Sequence, residues 1–215
     1  MNYFAHGFRF VENPWFLAGT AVPDWLSVAD RRVRMRPERV EPFASGEVSN
    51  QSEVAAGVLQ HLEDDRRFHA RPAFLETSAD LAESFRHVLG ADNGYRPGFL
   101  GHISTELLLD GLLIEEDPER LDEYYRQLGS VDPESVQQAV NSMAKRPVSR
   151  LADFIGRFLE AEFLRDYADS RRLLMRLNQV VSRVGLSRLP AEAEEVLQAG
   201  RRLVRGRVSE LLPPT

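Results

Sequence analysis

The sequence predicts an all-α protein. Three observations carry that prediction: apolar residues recur every three to four positions along most of the chain, no strand-like alternation persists over a useful length, and prolines stand at the starts of periodic segments. After a short opening segment, residues 14–27 form an apolar stretch interrupted by Pro23, which predicts a short helix or turn delivering Asp24 to an interior face. Residues 28–48 are arginine-rich, contain Pro37 and Pro42 and lack a sustained apolar face, so they read as a loop covering the next helix.

From Ser49 the periodicity strengthens. Asn50 or Ser52 can cap a helix whose stripe is Val54, Val58, Leu59 and Leu62, running to about His69 before Pro72. A second helix fits 73–90, with Phe74, Leu75, Leu81, Phe85, Val88 and Leu89 buried and Gly90 as its stop. A third begins near Pro97 and carries Phe99, Leu100, Ile103, Leu107, Leu108 and Leu112. Pro118 opens a charged helix through Leu128, and Pro133 opens another to about Ala144. Long amphipathic helices are expected at 147–184 and 190–211, the clearest stripe being Leu151, Phe154, Ile155, Phe158, Leu159 and Phe163. The expected organisation is one helical domain over residues 1–215, a core in 1–144 and C-terminal helices in 145–215 that pack on it or form a homodimer interface.

Composition narrows the chemistry. The 215 residues include no cysteine, which excludes disulfides, thiolate metal sites, iron–sulfur clusters and cysteine nucleophiles. Any metal must then be held by nitrogen and oxygen. No apolar run reaches membrane-spanning length and no basic segment precedes an apolar one at the N-terminus, so a cytoplasmic protein is expected. The net charge of −6 is uneven: residues 1–144 hold 13 Lys+Arg against 24 Asp+Glu, and residues 145–215 hold 14 against 9. A basic C-terminal region suits an anionic partner, but no nucleic-acid recognition pattern accompanies it.

Four of the five histidines stand where a helix can present metal ligands. At about 100° per residue, His61, Asp65 and His69 (i, i+4, i+8) lie within about 80° of one another, and His102, Glu106 and Asp110 repeat the device. Two helices each offering nitrogen and carboxylate inward form a metal site in a helical core. Against this, Asp64 and Arg66 in an Asp-Asp-Arg-Arg run read as a solvated face, His87 as a surface or satisfied histidine, and Asp110 as a polar residue near a helix end. His102 and Glu106 lie among Phe99, Leu100, Ile103, Leu107 and Leu108, where unpaired ionisable groups are costly to bury. Taken singly, His6 after Tyr3-Phe4-Ala5 reads as a core histidine and Asp24 as a capping aspartate.

The order and spacing of M-N-Y-F-A-H, G-T-A-V-P-D-W, G-V-L-Q-H-L-E-D-D-R-R-F-H-A-R-P and G-H-I-S-T-E-L-L-L-D resemble those of acyl carrier protein phosphodiesterases, which resemble HD-type metal-dependent phosphohydrolases. The likeness covers roughly residues 1–112. It places His6, Asp24, His61 and Asp65 on the family's motif positions. His69 stands where the family has aspartate, Arg71 where it has the histidine before proline, Leu62 where it has arginine, and His102 and Glu106 where it has two aspartates. Ligand capacity is kept at His69, His102 and Glu106.

The resemblance implies a metal-dependent phosphodiesterase using Mn²⁺, with a phosphate-ester substrate carried on an acidic protein such as acyl carrier protein. His61, Asp65, His102 and Glu106 are the expected core ligands, His6 and Asp24 ligands or an acid/base pair, His69 a ligand or phosphate contact, with Asp24, Asp65 and His69 the catalytic participants, and Arg66 and Arg67 phosphate contacts or solvent-facing residues. Mixed nitrogen and oxygen ligation suits Mn²⁺, Fe²⁺ or Zn²⁺. The alternatives are a helical scaffold whose basic C-terminal helices engage an acidic partner, and a structural metal site without catalysis.

Overall fold

A computed structural model of the chain describes residues 1–90 and 94–212, which are helical with no strand among them. In chain order the helices are α1 (Tyr3–Gly7), α2 (Pro14–Ala29), α3 (Pro37–Ala44), α4 (Asn50–His69), α5 (Pro72–Leu89), α6 (Pro97–Glu116), α7 (Pro118–Gly129), α8 (Pro133–Met143), α9 (Leu151–Ala161), α10 (Ser170–Arg183) and α11 (Ala193–Leu211), with a 3₁₀ helix at Phe163–Ala168. They divide into two compact units, one of Asn2–Arg66 with Pro118–Phe163, the other of Met1, Arg67–Asp117 and the chain from Leu164 onward. None of the described helices is long and apolar enough to cross a membrane.

In the first unit α2 is the packing centre, touching α1, α7, α8 and α9. The short helix or turn expected at 14–27 is a helix of 16 residues that runs through Pro23. A mid-helix proline costs about 3 kcal/mol. Burial of Leu17, Ala21, Val22, Trp25 and Leu26 outweighs it, each side chain contributing up to about 1.5–3 kcal/mol. Around this helix stands an aromatic cluster in which the Phe158 ring lies 5.1 Å from Tyr3, 5.6 Å from Trp25 and 5.7 Å from Tyr125. The loop expected over 28–48 contains α3, which Pro37 starts and which buries Val40 against α8.

Gly19 of α2 and Gly57 of α4 let these two helices cross at main-chain distance. A Cβ on Gly19 would overlap the Val54 carbonyl and come within 2.9 Å of Gly57 Cα; one on Gly57 would overlap the Phe16 carbonyl. The buried stripe of α4 consequently runs Val54, Val58, His61, Asp64 and Phe68, while Leu59 and Leu62 are only half-buried.

In the second unit α5 and α6 form a close pair and α11 packs against both. Helix α6 is buried on nearly every side from Ser104 to Ile114, which makes it the core element of this unit. Gly101 sets the α5–α6 approach, since a Cβ there would overlap the Ser78 carbonyl and lie 2.8 Å from the Ala82 nitrogen. Thr105 Oγ1 and Ser78 Oγ are 3.1 Å apart across the same contact. Asp110, expected near a helix end, is fully buried within α6, which runs on to Glu116. Leu75 is exposed because the buried face of α5 follows Phe74, Thr77, Leu81 and Phe85.

The single helix expected over 147–184 is broken. Glu162 takes a left-handed conformation (φ 39°) after α9, Leu164 and Tyr167 are buried at the three-residue spacing of a 3₁₀ turn, and Asp169 caps α10 by accepting from the Arg172 amide at 2.8 Å.

Replacing Gly57 by alanine is expected to lower unfolding free energy by about 1–3 kcal/mol through overpacking. Gly156→Ala, at an exposed helix position with no neighbour within 4 Å, is expected to raise it by about 0.5–1 kcal/mol. Urea unfolding of the two variants checks the contrast.

Candidate metal centres

His6, His61 and Asp65 meet within the first unit, their ligand atoms all within 4.8 Å of one another. His6 is carried by α1, a single turn held by burial of Tyr3 and Phe4, with the Phe4 ring 5.6 Å from Tyr124. His61 is placed by the α2–α4 crossing, where its Nδ1–H donates to the Thr20 carbonyl at 2.7 Å. That bond fixes the tautomer and leaves Nε2 as the free lone pair. His61 Nε2 stands 3.6 Å from Asp65 Oδ2, and His6 Nε2 stands 3.2 Å from Asp65 Oδ1. The two rings stack with centroids 3.7 Å apart.

Both histidines are buried, and neither ring nitrogen of His6 has a hydrogen-bond partner among the described residues. Two imidazoles aimed at one carboxylate, with one of them lacking hydrogen bonds, are a poor core arrangement and a good ligand set for a cation. The Asp65 side chain is 33% exposed, so the trio opens toward solvent on one side. Burial raises the Asp65 pKa, but the contacts from His6 and His61 outweigh it and hold this carboxyl far below the usual range.

Two residues beside this trio escaped the spacing argument. Asp64, read as solvated, is buried: Gln60 donates to Oδ1 at 2.9 Å, and Oδ2 lies 4.0 Å from His6 Nδ1 and 3.7 Å from an Arg9 guanidinium nitrogen. Burial raises its pKa, and His6, Gln60 and Arg9 bring it below the ordinary value. Arg9 lies against the Phe8 and Phe10 rings, and its Nε has no hydrogen-bond partner among the described residues. Arg9 follows the end of α1, so no helical spacing links it to His6.

His69, His102 and Glu106 form a second trio, within the other unit. His69 Nε2 donates to Glu106 Oε1 at 2.8 Å, His102 Nε2 lies 3.2 Å from the same oxygen, and the Met1 amine lies 3.4 Å from it. The Phe74 ring is 4.9 Å from each imidazole. Burial raises the Glu106 pKa, and the Met1 amine with the two histidines brings it down to about 2.

The expected ligands therefore group as two trios. Asp24, half-buried on α2 one turn beyond Thr20, belongs to neither, and its role rests on the family resemblance alone. Arg66 is exposed and bonded to Glu63 at 2.7–2.8 Å, Arg67 is exposed, and His87 is exposed as expected. Comparison of the chain with models of known protein families, with curated proteins and with solved structures yields no match.

Gly19→Ala touches no ligand yet shifts the Thr20 carbonyl that orients His61. Its expected effect is a 10–100-fold weaker affinity for Co²⁺ at the first trio, the size of an outer-shell loss, measured by titration of chelator-treated protein.

Proposed function

We propose that the chain is a metal-dependent phosphohydrolase acting on a phosphate ester, a phosphodiesterase like the family it resembles, with His6, His61 and Asp65 holding the cation. The observation that carries this reading is the Thr20 carbonyl fixing His61 Nε2 toward Asp65 beside a buried His6 with no hydrogen bond. Three protein ligands with a partly exposed carboxylate suit a catalytic rather than a closed structural site.

A bound Mn²⁺, Fe²⁺ or Zn²⁺ supplies two things there: a more acidic water, and neutralisation of phosphoryl charge. The protein's own groups do the rest. Thr20 holds His61 in its ligating tautomer. Asp64 places a carboxylate 4.0 Å from His6 Nδ1 and engages Arg9 at 3.7 Å. The Arg9 guanidinium, 28% exposed and held by Asp64, offers its outer nitrogens to phosphoryl oxygens. Under this reading Arg9 takes the phosphate-binding role expected of Arg66 or Arg67. The family resemblance is what gives Asp24 the acid/base role at the leaving group.

A second reading, a non-catalytic binding module, draws on a different feature: the groove along α10 around the exposed Met175, where Arg171, Arg172 and Arg188 outnumber Asp169 and Glu194. Its cationic rim complements an acidic partner.

Hydrolysis of bis(p-nitrophenyl) phosphate with added Mn²⁺ tests the enzymatic reading. His61→Ala is expected to lose at least about 100-fold in kcat/KM, Arg9→Gln to raise KM more than it lowers kcat, and Arg66→Ala to leave both unchanged. Absence of metal-stimulated hydrolysis of this diester and of the corresponding monoester by the native chain sinks the proposal and leaves the binding module.

A further inference from the structure

We infer that His69, His102 and Glu106 form a second transition-metal site, separate from the phosphohydrolase centre, which takes a borderline cation such as Zn²⁺ or Co²⁺ and ties the end of α4 to α6. The inference does not depend on the reaction proposed above. It rests on how these three side chains are held.

His69 is the last residue of α4, and the chain turns at once into α5 through the bond from the Arg71 amide to the Phe68 carbonyl at 3.1 Å. His102 and Glu106 are one turn apart on α6, next to Gly101, where α6 meets the α5 backbone. Phe74 of α5 stands edge-on to His102 and tilted against His69, with Phe68 4.7 Å behind it. An aromatic wall thus sets both imidazoles, whose centroids are 4.9 Å apart.

Both Nε2 atoms converge on one carboxylate oxygen, Glu106 Oε1. Ordinary ion pairing does not require that. A long-range pair from His69 and an i, i+4 pair from His102 could use different oxygens; instead both imidazole nitrogens share Oε1, beside the Met1 amine at 3.4 Å, and two imidazole nitrogens with one carboxylate are the donor set of a divalent transition metal. Mg²⁺ and Ca²⁺, which favour all-oxygen shells, fit it poorly. The three side chains differ in depth: Glu106 is 10% exposed, His69 34% and His102 46%. The carboxylate forms the floor and the imidazoles the rim, so the remaining coordination positions face solvent.

The two sites are inequivalent. His61 is locked by a main-chain carbonyl, whereas neither His69 nor His102 is tied to one among the described residues. Without that bond no main-chain acceptor holds either ring proton on Nδ1, and His69 must give up the Nε2 proton it donates to Glu106 before it can ligate. The second site is therefore the weaker and the first to be stripped by chelator.

Titration of the chelator-treated full chain with Co²⁺, followed by visible absorption, tests this. The native protein is expected to take two equivalents, one tight and one at least tenfold weaker. His102→Gln, at a half-exposed position where folding should be unaffected, is expected to lose only the weak equivalent, and His61→Ala only the tight one. His87→Gln, on the surface of α5, is expected to lose neither. Far-UV circular dichroism confirms that each variant is folded. A single equivalent that His61→Ala abolishes and His102→Gln leaves intact overturns the second site while the first stands. A single equivalent with the opposite pattern supports the second site and removes the centre proposed for hydrolysis. No bound Co²⁺ overturns both. A weak equivalent lost with His87→Gln instead marks adventitious surface binding and also overturns the second site.

Discussion

The main-chain contact between α2 and α4 at Gly19 and Gly57 is the constraint from which the first candidate centre follows. Side chains larger than hydrogen at either position would collide with carbonyl groups of the opposite helix. Because the helices come so close, the Thr20 carbonyl reaches the His61 ring across the interface, at 2.7 Å. That single bond decides which imidazole nitrogen is free, and the free one faces Asp65. A packing choice made by two glycines thus becomes a choice of tautomer, and the tautomer sets the chemistry that the ring can perform.

The other unit uses the same economy. Gly101 brings α6 against the α5 backbone, and the next residue is His102. In both units the ionisable groups lie beside a helix crossing at main-chain distance, where a Cβ on the crossing glycine would overlap the facing backbone. Rigid placement of this kind is what ligand constellations need, since metal sites tolerate little displacement of their donors. The carboxylates illustrate the energetic side. Burial opposes ionisation of Asp65 and Glu106, and the nitrogens around them more than reverse it. A cation at either trio would meet a carboxylate already in its charged form.

Much of this was legible in the sequence, because helical spacing is a local property. The pairs His61 with Asp65 and His102 with Glu106 followed from i, i+4 arithmetic, and the starts of α6, α7 and α8 from their prolines. The grouping did not follow. His69 sits in phase with His61 on α4, yet it meets His102 and Glu106, a partnership that the turn into α5 and the Gly101 contact determine. Asp64 looked solvent-facing beside Arg66, but the buried stripe of α4 passes through it once Gly57 fixes the helix's rotation. Arg9 is beyond the end of a helix and reaches Asp64 only in three dimensions. The break at Glu162 and the helix at Pro37–Ala44 escaped for a related reason: neighbouring elements, not local periodicity, supply the burial of Leu164, Tyr167 and Val40.

Hydrolysis at the first centre requires a cation held where His6, His61 and Asp65 converge. Anomalous diffraction from crystals soaked in Zn²⁺, collected above and below the zinc edge, addresses it directly. A peak is expected within about 2.0–2.2 Å of His6 Nε2, His61 Nε2 and an Asp65 carboxylate oxygen, with the bond from His61 to the Thr20 carbonyl intact. A map in which zinc occupies other histidines but leaves this convergence without a peak would contradict it.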